Sequence, residues 1–240
     1  MSPAAPSSLE EIREAILLDG FADVPNVLTS TEVAALQHAL ARVTDPLAPS
    51  GRGATYALRN LLNASPDIRA LAETAIVRDL VVPMLGENCF PVRGILFDKI
   101  PDANWKVPFH QDVTIAVREK IETEGFGSWS IKAGVLHTQP PVGVLESMLS
   151  VRIHLDDCGE QNGALRVVPG SHRLGRIAES DIESVREQSG ERLCTVSMGG
   201  ALLMRPLLLH ASSQSKFPGH RRVIHIDFAA HPLPNCLHWL

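Results

Sequence analysis

Three stretches of the chain place a histidine and an aspartate two residues apart: His110-Gln111-Asp112, His154-Leu155-Asp156 and His225-Ile226-Asp227. Alternate residues of a β-strand point to the same side, so each triplet could present an imidazole and a carboxylate to one metal ion. Two neutral imidazoles and one carboxylate on one face of Fe(II), with the remaining positions open, form the ligand set of non-haem iron oxygenases. The third ligand must then come from a neighbouring strand remote in sequence. His210, closing the apolar run that starts at Met204, is such a residue. Arg221 follows it and carries a guanidinium able to grip a carboxylate through two parallel hydrogen bonds.

Context separates the triplets. His154-Leu155-Asp156 runs from Leu149 and Val151 straight into Asp157, Cys158 and Gly159, which reads as a strand end entering a turn. A satisfied or pocket-lining histidine accounts for it equally well. His225 and Asp227 have only His231 and His238 behind them, which leaves a third ligand and an anion-binding arginine hard to place. His110-Gln111-Asp112 follows Trp105, Pro108 and Phe109 at the expected start of a strand, where an open metal site can face a cavity. His210 alone reads as readily as a core histidine. Arg221, just past the Pro218-Gly219 turn and at the head of the apolar strand Val223 to Ala229, is what tips it toward a ligand.

These residues need a scaffold. Ser8 with Glu11, and Thr29 with Glu32, form capping boxes ahead of apolar residues at helical spacing, and Gly20 stops the first helix. A further helix is expected over Pro66 to Leu85, closed by Gly86. From Phe90 the texture changes to short apolar runs at Phe90 to Ile100, Met148 to Leu155, Ala164 to Val168, Cys194 to Val196, Ala201 to Leu209 and Arg222 to Ala229. Turn-forming clusters separate them. Helices followed by many short strands predict an α+β fold built on a sandwich or barrel. The stretch 113–141 is too long for a hairpin loop and is expected to be a lid or substrate-contacting segment. Residues 1–240 are expected to form one domain, with a frayed tail over 1–7, a helical lead-in over 8–86 and a core over about 90–230.

Composition narrows the partner. The net charge of -5 and pI near 6.0, with no block of one sign, give no reason to expect nucleic acid or an anionic membrane. A small-molecule substrate is left. The four cysteines are scattered without zinc-ribbon or disulfide spacing, so free thiols in a reducing compartment are expected. With no leader pattern and no apolar run near the ~20 residues that span a bilayer, the expectation is a soluble cytoplasmic protein.

Taken together, Asp19-Gly20-Phe21, His110-Gln111-Asp112, the run from Asn162-Gly163-Ala164-Leu165 to Pro169-Gly170-Ser171-His172, then His210 and Arg221, resemble the phytanoyl-CoA dioxygenase family. The resemblance extends from about Leu17 to about Ala229, and the Asn-Gly to Ser-His run is its most specific piece. It implies a double-stranded β-helix, the cupin-like jelly roll, with flanking N-terminal helices. It implies iron held by His110, Asp112 and His210, 2-oxoglutarate as co-substrate with its distal carboxylate on Arg221, and O2 as oxidant. Ser212 matches a position that helps hold that carboxylate, and Lys99 a basic position on the strand before the metal pair. The chain departs from the family at Arg152, where many members carry tryptophan. A buried arginine needs a partner, and Asp156 on the same strand face or an anionic ligand would serve.

The implied reaction is hydroxylation of an unactivated carbon, with 2-oxoglutarate leaving as succinate and CO2. Trp105, Trp129, Lys132, His137, Arg152 and His154 are the pocket candidates, and their mix of aromatic and basic groups suits an amphipathic or carboxylate-bearing substrate. Two rival readings stand beside this one: a non-catalytic jelly-roll ligand binder or sensor, and a zinc hydrolase using the same three ligands. The second leaves Arg221 and the Pro-Gly-Ser-His run without a role.

Overall fold

The computed structural model describes residues 8–43, 57–100, 104–132, 134–216 and 219–240. The stretch 1–7 and Pro218, half of the expected Pro218-Gly219 turn, lie outside them. The chain opens with α1 (Leu9–Leu18), β1 (Phe21–Val24) and α2 (Ser30–Ala41), then β2 (Ala57–Leu58), α3 (Leu61–Ala64), α4 (Pro66–Ala72) and α5 (Ala75–Leu85). There follow β3 (Phe90–Lys99), β4 (Val107–His110), β5 (Ile115–Ala116), β6 (Gly127–Lys132), β7 (Val135–Gln139), α6 (Val142–Glu146) and β8 (Met148–His154). The last elements are β9 (Leu165–Val167), α7 (Ile182–Ser189), β10 (Arg192–Cys194), β11 (Ala201–Met204), β12 (His210–Ser212) and β13 (Arg221–Ala229).

Both capping boxes form as the sequence predicts. The Ser8 hydroxyl accepts from Glu11 N–H and the Glu11 carboxylate accepts from Ser8 N–H, each at 3.2 Å, and Thr29 and Glu32 repeat the exchange at the start of α2. The helix expected over Pro66 to Leu85 is two helices. The Thr74 hydroxyl donates to Leu71 C=O at 2.7 Å, closing α4, and accepts from Val77 N–H at 3.4 Å, starting α5. A single threonine thus competes with the backbone ladder and breaks a continuous apolar stripe.

Antiparallel pairing builds a six-stranded sheet in the order β1-β11-β8-β13-β3-β2 and a four-stranded sheet in the order β10-β9-β12-β4. Together with the helices these form an α+β jelly roll. Leu149, Val151 and Ile153 of β8 and Ile224, Ile226 and Phe228 of β13 are fully buried in one cluster with Ile12, Ile16, Ile68, Val77 and Val81 of the helices. Each such side chain contributes about 1.5–3 kcal/mol by leaving water. Their sequence neighbours Ser150, Arg152 and His154, and likewise His225 and Asp227, therefore face the other way, into the roll. The outer face of the large sheet is glued to helices. Its inner face is polar at these positions of β8 and β13 but apolar along β1 and β11, where Phe21, Leu202 and Met204 pack with Leu165 and Val167 of the smaller sheet.

Two strand expectations are corrected. Met204 to His210 is not one strand: β11 ends at Met204, Leu208 N–H donates to Arg205 C=O in a turn, and His210 opens β12 in the other sheet. Pro206 has no N–H to give a ladder, and Leu207, Leu208 and Leu209 are buried because the chain crosses between the sheets there. Cys194 to Val196 is likewise split, with β10 ending at Cys194 and Val196 bridging to Cys158.

The 113–141 stretch is a third, three-stranded sheet in the order β5-β7-β6. Ile115, Val117 and Phe126 pack with Leu233, Leu237 and Trp239 of the C-terminal segment, so this region has a core of its own. No described helix is long and apolar enough to cross a membrane. Cys89, Cys158 and Cys194 are buried, Cys236 is exposed, and all four are free thiols.

Asp23 on β1 carries a pH-dependent cost. Burial raises its carboxyl to about 6 against the pull of Arg192, and its Oδ1 has no hydrogen-bond partner among the described residues. A raised carboxyl contributes stability that is fully present below the unfolded value near 4 and lost as pH rises through 6. Asp23→Asn is therefore expected to match the parent near pH 4 and exceed it by about 1–2 kcal/mol at pH 7.5, allowing for partial solvent screening. Urea unfolding at the two pH values measures this, and equal differences at both would sink it.

Candidate active site

His110 closes β4 and His210 opens β12, and the two are direct cross-strand partners with ring centroids 4.3 Å apart. The first triplet was expected at the start of a strand and lies at its end. Asp112 is beyond the strand, where its N–H donates to the Pro206 carbonyl at 2.9 Å. The turn that splits the apolar run before His210 thus anchors Asp112 as well. One donor atom from each of His110, Asp112 and His210 lies within 4.8 Å of the others.

The rings are oriented for ligation. Nδ1 of His110 bonds the Pro108 carbonyl at 2.9 Å and Nδ1 of His210 the Leu208 carbonyl at 2.8 Å. A carbonyl only accepts, so each Nδ1 carries the proton and each Nε2 presents a lone pair. Those Nε2 atoms stand 4.0 and 3.8 Å from the Asp112 oxygens, too far for hydrogen bonds and suited to an ion between them. Burial pushes His210 down to about 4, keeping it neutral at physiological pH. Burial alone would raise Asp112, but His210, Arg93, His110 and His225 outweigh it and hold the carboxyl below its ordinary value.

Gln111, between the two ligands, was given no role by the sequence. Its amide donates to the Leu207 and Gly175 carbonyls at 2.6 and 2.8 Å and accepts from Ile177 N–H at 2.9 Å, pinning the 175–177 loop to the metal-facing chain. The Asn162-to-His172 run is likewise scaffold. Ser171 Oγ accepts from Leu209 N–H at 2.8 Å, next to His210, and a Cβ on Gly20 (φ +86°) would sit 2.4 Å from the His172 ring. Asp19-Gly20-Phe21 and Pro-Gly-Ser-His therefore pack on each other.

The triad opens onto a cavity of about 330 Å³. Toward one end Arg221, buried at the head of β13, stands opposite Lys99 in register, and its Nε has no hydrogen-bond partner among the described residues. Lys99 donates to Ser212 Oγ at 2.8 Å and to the Ser213 carbonyl, and lies 5.3 Å over the Trp105 ring. Burial, then the charge of Arg221, bring Lys99 down to about 7. Ser212 Oγ in turn donates to Gly163 C=O at 3.0 Å. Gly163 has φ +68°, and a Cβ there would meet the Ser213 carbonyl at 2.9 Å, so the Asn-Gly turn is required where it is.

Trp105, Lys132 and Arg152 line the cavity; Trp129, His137 and His154 are not among its lining residues. His137 bonds the Val135 carbonyl, and Trp129 packs with the third sheet. The second triplet is taken apart: His154 is buried and neutral, while Asp156 forms a two-pronged pair with Arg222 at 2.9 and 2.8 Å. In the third, His225 Nε2 bonds Asp227 at 2.8 Å and Arg93 pairs with Asp227 at 2.5 Å. The expected Arg152–Asp156 contact is corrected too, because Arg152 donates to His225 Nδ1 at 2.9 Å. Arg59, Arg93 and Phe97, also on the cavity wall, carried no signal in the sequence beyond residue type.

The chain is 24% identical over 236 residues to "Dioxygenase FUM3" of Gibberella moniliformis, spanning 92% of this chain and 72% of that one. AviO1 from Streptomyces viridochromogenes Tue57 has a similar structure, at 23% identity and TM-score 0.68 over 97% of this chain and 99% of that one. So has EctD from S. alaskensis, solved with 2-oxoglutarate and 5-hydroxyectoine, at 22% and 0.71 over 96% and 78%. These likenesses fix the fold. The family description "Phytanoyl-CoA dioxygenase (PhyH)" matches residues 16–223, a span that takes in the converging histidines and aspartate, both glycine turns and Arg221. By that span the chain is a member of the phytanoyl-CoA dioxygenase family and an Fe(II)- and 2-oxoglutarate-dependent oxygenase.

Proposed function

We propose that His110, Asp112 and His210 hold the iron, that Arg221 with Lys99 and Ser212 takes the distal carboxylate of 2-oxoglutarate, and that the enzyme hydroxylates an unactivated carbon of a small anionic molecule. The carrying observation is that Arg221, with its buried and unpartnered Nε, shares one cavity with the three converging ligand atoms. A buried guanidinium whose Nε finds no acceptor, and whose one side-chain partner among the described residues is the Cys158 thiol, is costly, and a carboxylate ligand supplies the missing partner. In overall balance, substrate C–H, O2 and 2-oxoglutarate give the alcohol, succinate and CO2. Bound iron supplies dioxygen activation coupled to decarboxylation.

The chain's own groups do the positioning. The Pro108 and Leu208 carbonyls fix both imidazoles, the Pro206 carbonyl fixes Asp112, and Gln111, itself on the cavity wall, is tied down by the 175–177 loop behind it. Arg59 and Lys132 add basic groups to the rest of the wall, beside Arg93, whose charge is paired with Asp227, and Lys132 donates to Thr114 Oγ1 at 3.0 Å. Burial, then Arg93 and Arg59, lower the Lys132 ammonium, as crowding of like charges would. With Trp105 on the same wall, this favours an amphipathic, carboxylate-bearing substrate. On this reading the chain works as one domain, its lead-in helices backing the large sheet.

Iron-dependent release of succinate from 2-oxoglutarate tests the reading, and its absence from iron-loaded protein would overturn it. Arg221→Met is expected to weaken 2-oxoglutarate binding by roughly 30- to 1000-fold while iron binding is retained, the range for truncating one partner of a buried charge pair. Calorimetric titration under anaerobic conditions reads both. Equal 2-oxoglutarate affinity in parent and variant would remove Arg221 from the site.

A further inference from the structure

Arg152 is buried in the middle of β8, on the polar inner face, and lines the cavity. Among the described residues it forms no ion pair, and its Nε has no hydrogen-bond partner. The one side chain it bonds among the described residues is His225, at 2.9 Å. A guanidinium only donates, so His225 Nδ1 accepts, and its Nε2 carries the proton it gives to Asp227. Asp227 is itself fixed by Ser150 Oγ at 2.6 Å and by Arg93. Phe97 supports the arrangement from the side, 5.4 Å from the Arg152 guanidinium and edge-on to the His225 ring. Arg152 is held firmly by an imidazole, with Asp112 and Asp227 acting on it only from a distance and no carboxylate among the described residues in direct contact.

Its neighbours make the imbalance larger. Burial, then Arg221, bring Arg152 down to about 10, so it remains protonated at neutral pH. Arg221, Arg152 and Lys99 line the same cavity, and the charges of Arg221 and Arg152 both weigh against protonation of Lys99. Lys99 is occupied with Ser212 and Ser213, whereas Arg221 and Arg152 each keep an orphaned Nε. One carboxylate has two oxygens and about four lone-pair directions, enough for two guanidinium groups at once.

We infer that Arg152 is a second binding residue for the distal carboxylate of 2-oxoglutarate, sharing it with Arg221 and held ready by the His225–Asp227 pair. The inference rests on the co-substrate reading above. On it, the His225-Ile226-Asp227 triplet serves to orient a cation without neutralising it. Succinate keeps the same terminal carboxylate, so the doubly cationic end also favours retention of the product.

Calorimetric titration of 2-oxoglutarate and of 2-oxopentanoate, which lacks the distal carboxylate, into anaerobic iron(II)-loaded protein tests this. Arg152→Met is expected to raise the Kd for 2-oxoglutarate about tenfold or more, with 2-oxopentanoate and iron affinities unchanged and with most of the loss recovered in Arg152→Lys. Thermal unfolding of the metal-free protein should show a smaller stabilisation by 2-oxoglutarate in the Met variant than in the parent. An unchanged Kd in the Met variant, or equal weakening of both oxo acids, overturns the assignment. If the Met variant does not fold, Arg152→Gln decides: it retains a donor for His225 without the charge, and a Kd within twofold of the parent overturns the inference. A parent that binds no 2-oxoglutarate sinks the co-substrate reading itself, whereas a binding parent with an unaffected variant sinks only the role of Arg152.

Discussion

Replacing His110 or Asp112 by alanine is expected to abolish iron-dependent succinate formation, a loss of roughly a thousandfold or more. The visible charge-transfer band of the anaerobic iron(II)–2-oxoglutarate protein should vanish with it. The size of the effect follows from the geometry. The three donor atoms lie within 4.8 Å of one another, and among the described residues no other His, Cys, Asp or Glu joins them. An imidazole lost from such a set leaves two protein ligands, too few to define an open octahedral site. The control is His154→Ala. His154 belongs to a competing triplet but its aspartate is engaged by Arg222, so this variant should keep the band. A band that survives His110→Ala and Asp112→Ala but not His154→Ala would mean the metal is held elsewhere.

The choice among triplets shows what local sequence can carry. His110 and Asp112 were favoured by their loop context, yet the geometry that brings them to His210 is a tertiary one. Asp112 is fixed by the carbonyl of Pro206, ninety-four residues on, and His110 is fixed by pairing with β12. The apolar run ending at His210 looked like one strand because a short apolar stretch has no periodicity to betray a crossing between sheets. Pro206 was the available signal, since a proline inside a run argues against a central strand.

Elsewhere the same contrast holds. The capping boxes of Ser8 and Thr29 are contacts three residues long and were legible outright. The apolar run from Met148 to Leu155 was visible as well, but which of its polar residues meets which partner was not. Arg152 and His225 face each other because β8 and β13 are adjacent in register, and Arg93 meets Asp227 across β3 and β13. Such pairings depend on sheet order, which local propensity does not encode. The third sheet within 113–141 was missed for a related reason: its strands are short, and its core is completed by Leu233, Leu237 and Trp239 from the far end of the chain.

Sheet order also sets the largest expected effect on stability, at Asp227. This carboxylate accepts from Arg93 Nε at 2.5 Å, Ser150 Oγ at 2.6 Å and His225 Nε2 at 2.8 Å, and its side chain and that of His225 are both almost wholly out of water. Burial alone would raise its carboxyl, but Arg93, His225 and Ser150 outweigh burial and hold it far below the usual carboxylate range. Asp227→Ala would strand the Arg93 charge and two donors in the interior, a cost of about 3–5 kcal/mol. For a chain of this size that corresponds to a fall in Tm of roughly 10 °C. Asp67→Ala, which breaks the solvent-exposed pair with Arg42, should cost less than about 0.5 kcal/mol under the same conditions. The pH dependence has a definite sign. A depressed carboxyl contributes stability that is fully present above the unfolded value near 4 and lost as pH falls below it, so the parent should lose its advantage over Asp227→Ala progressively under acid. Chemical unfolding of parent and variant at pH 7 and pH 3 measures both claims, and a variant as stable as the parent at neutral pH would show that the Arg93–Asp227–His225 chain is not what holds the inner face of the large sheet.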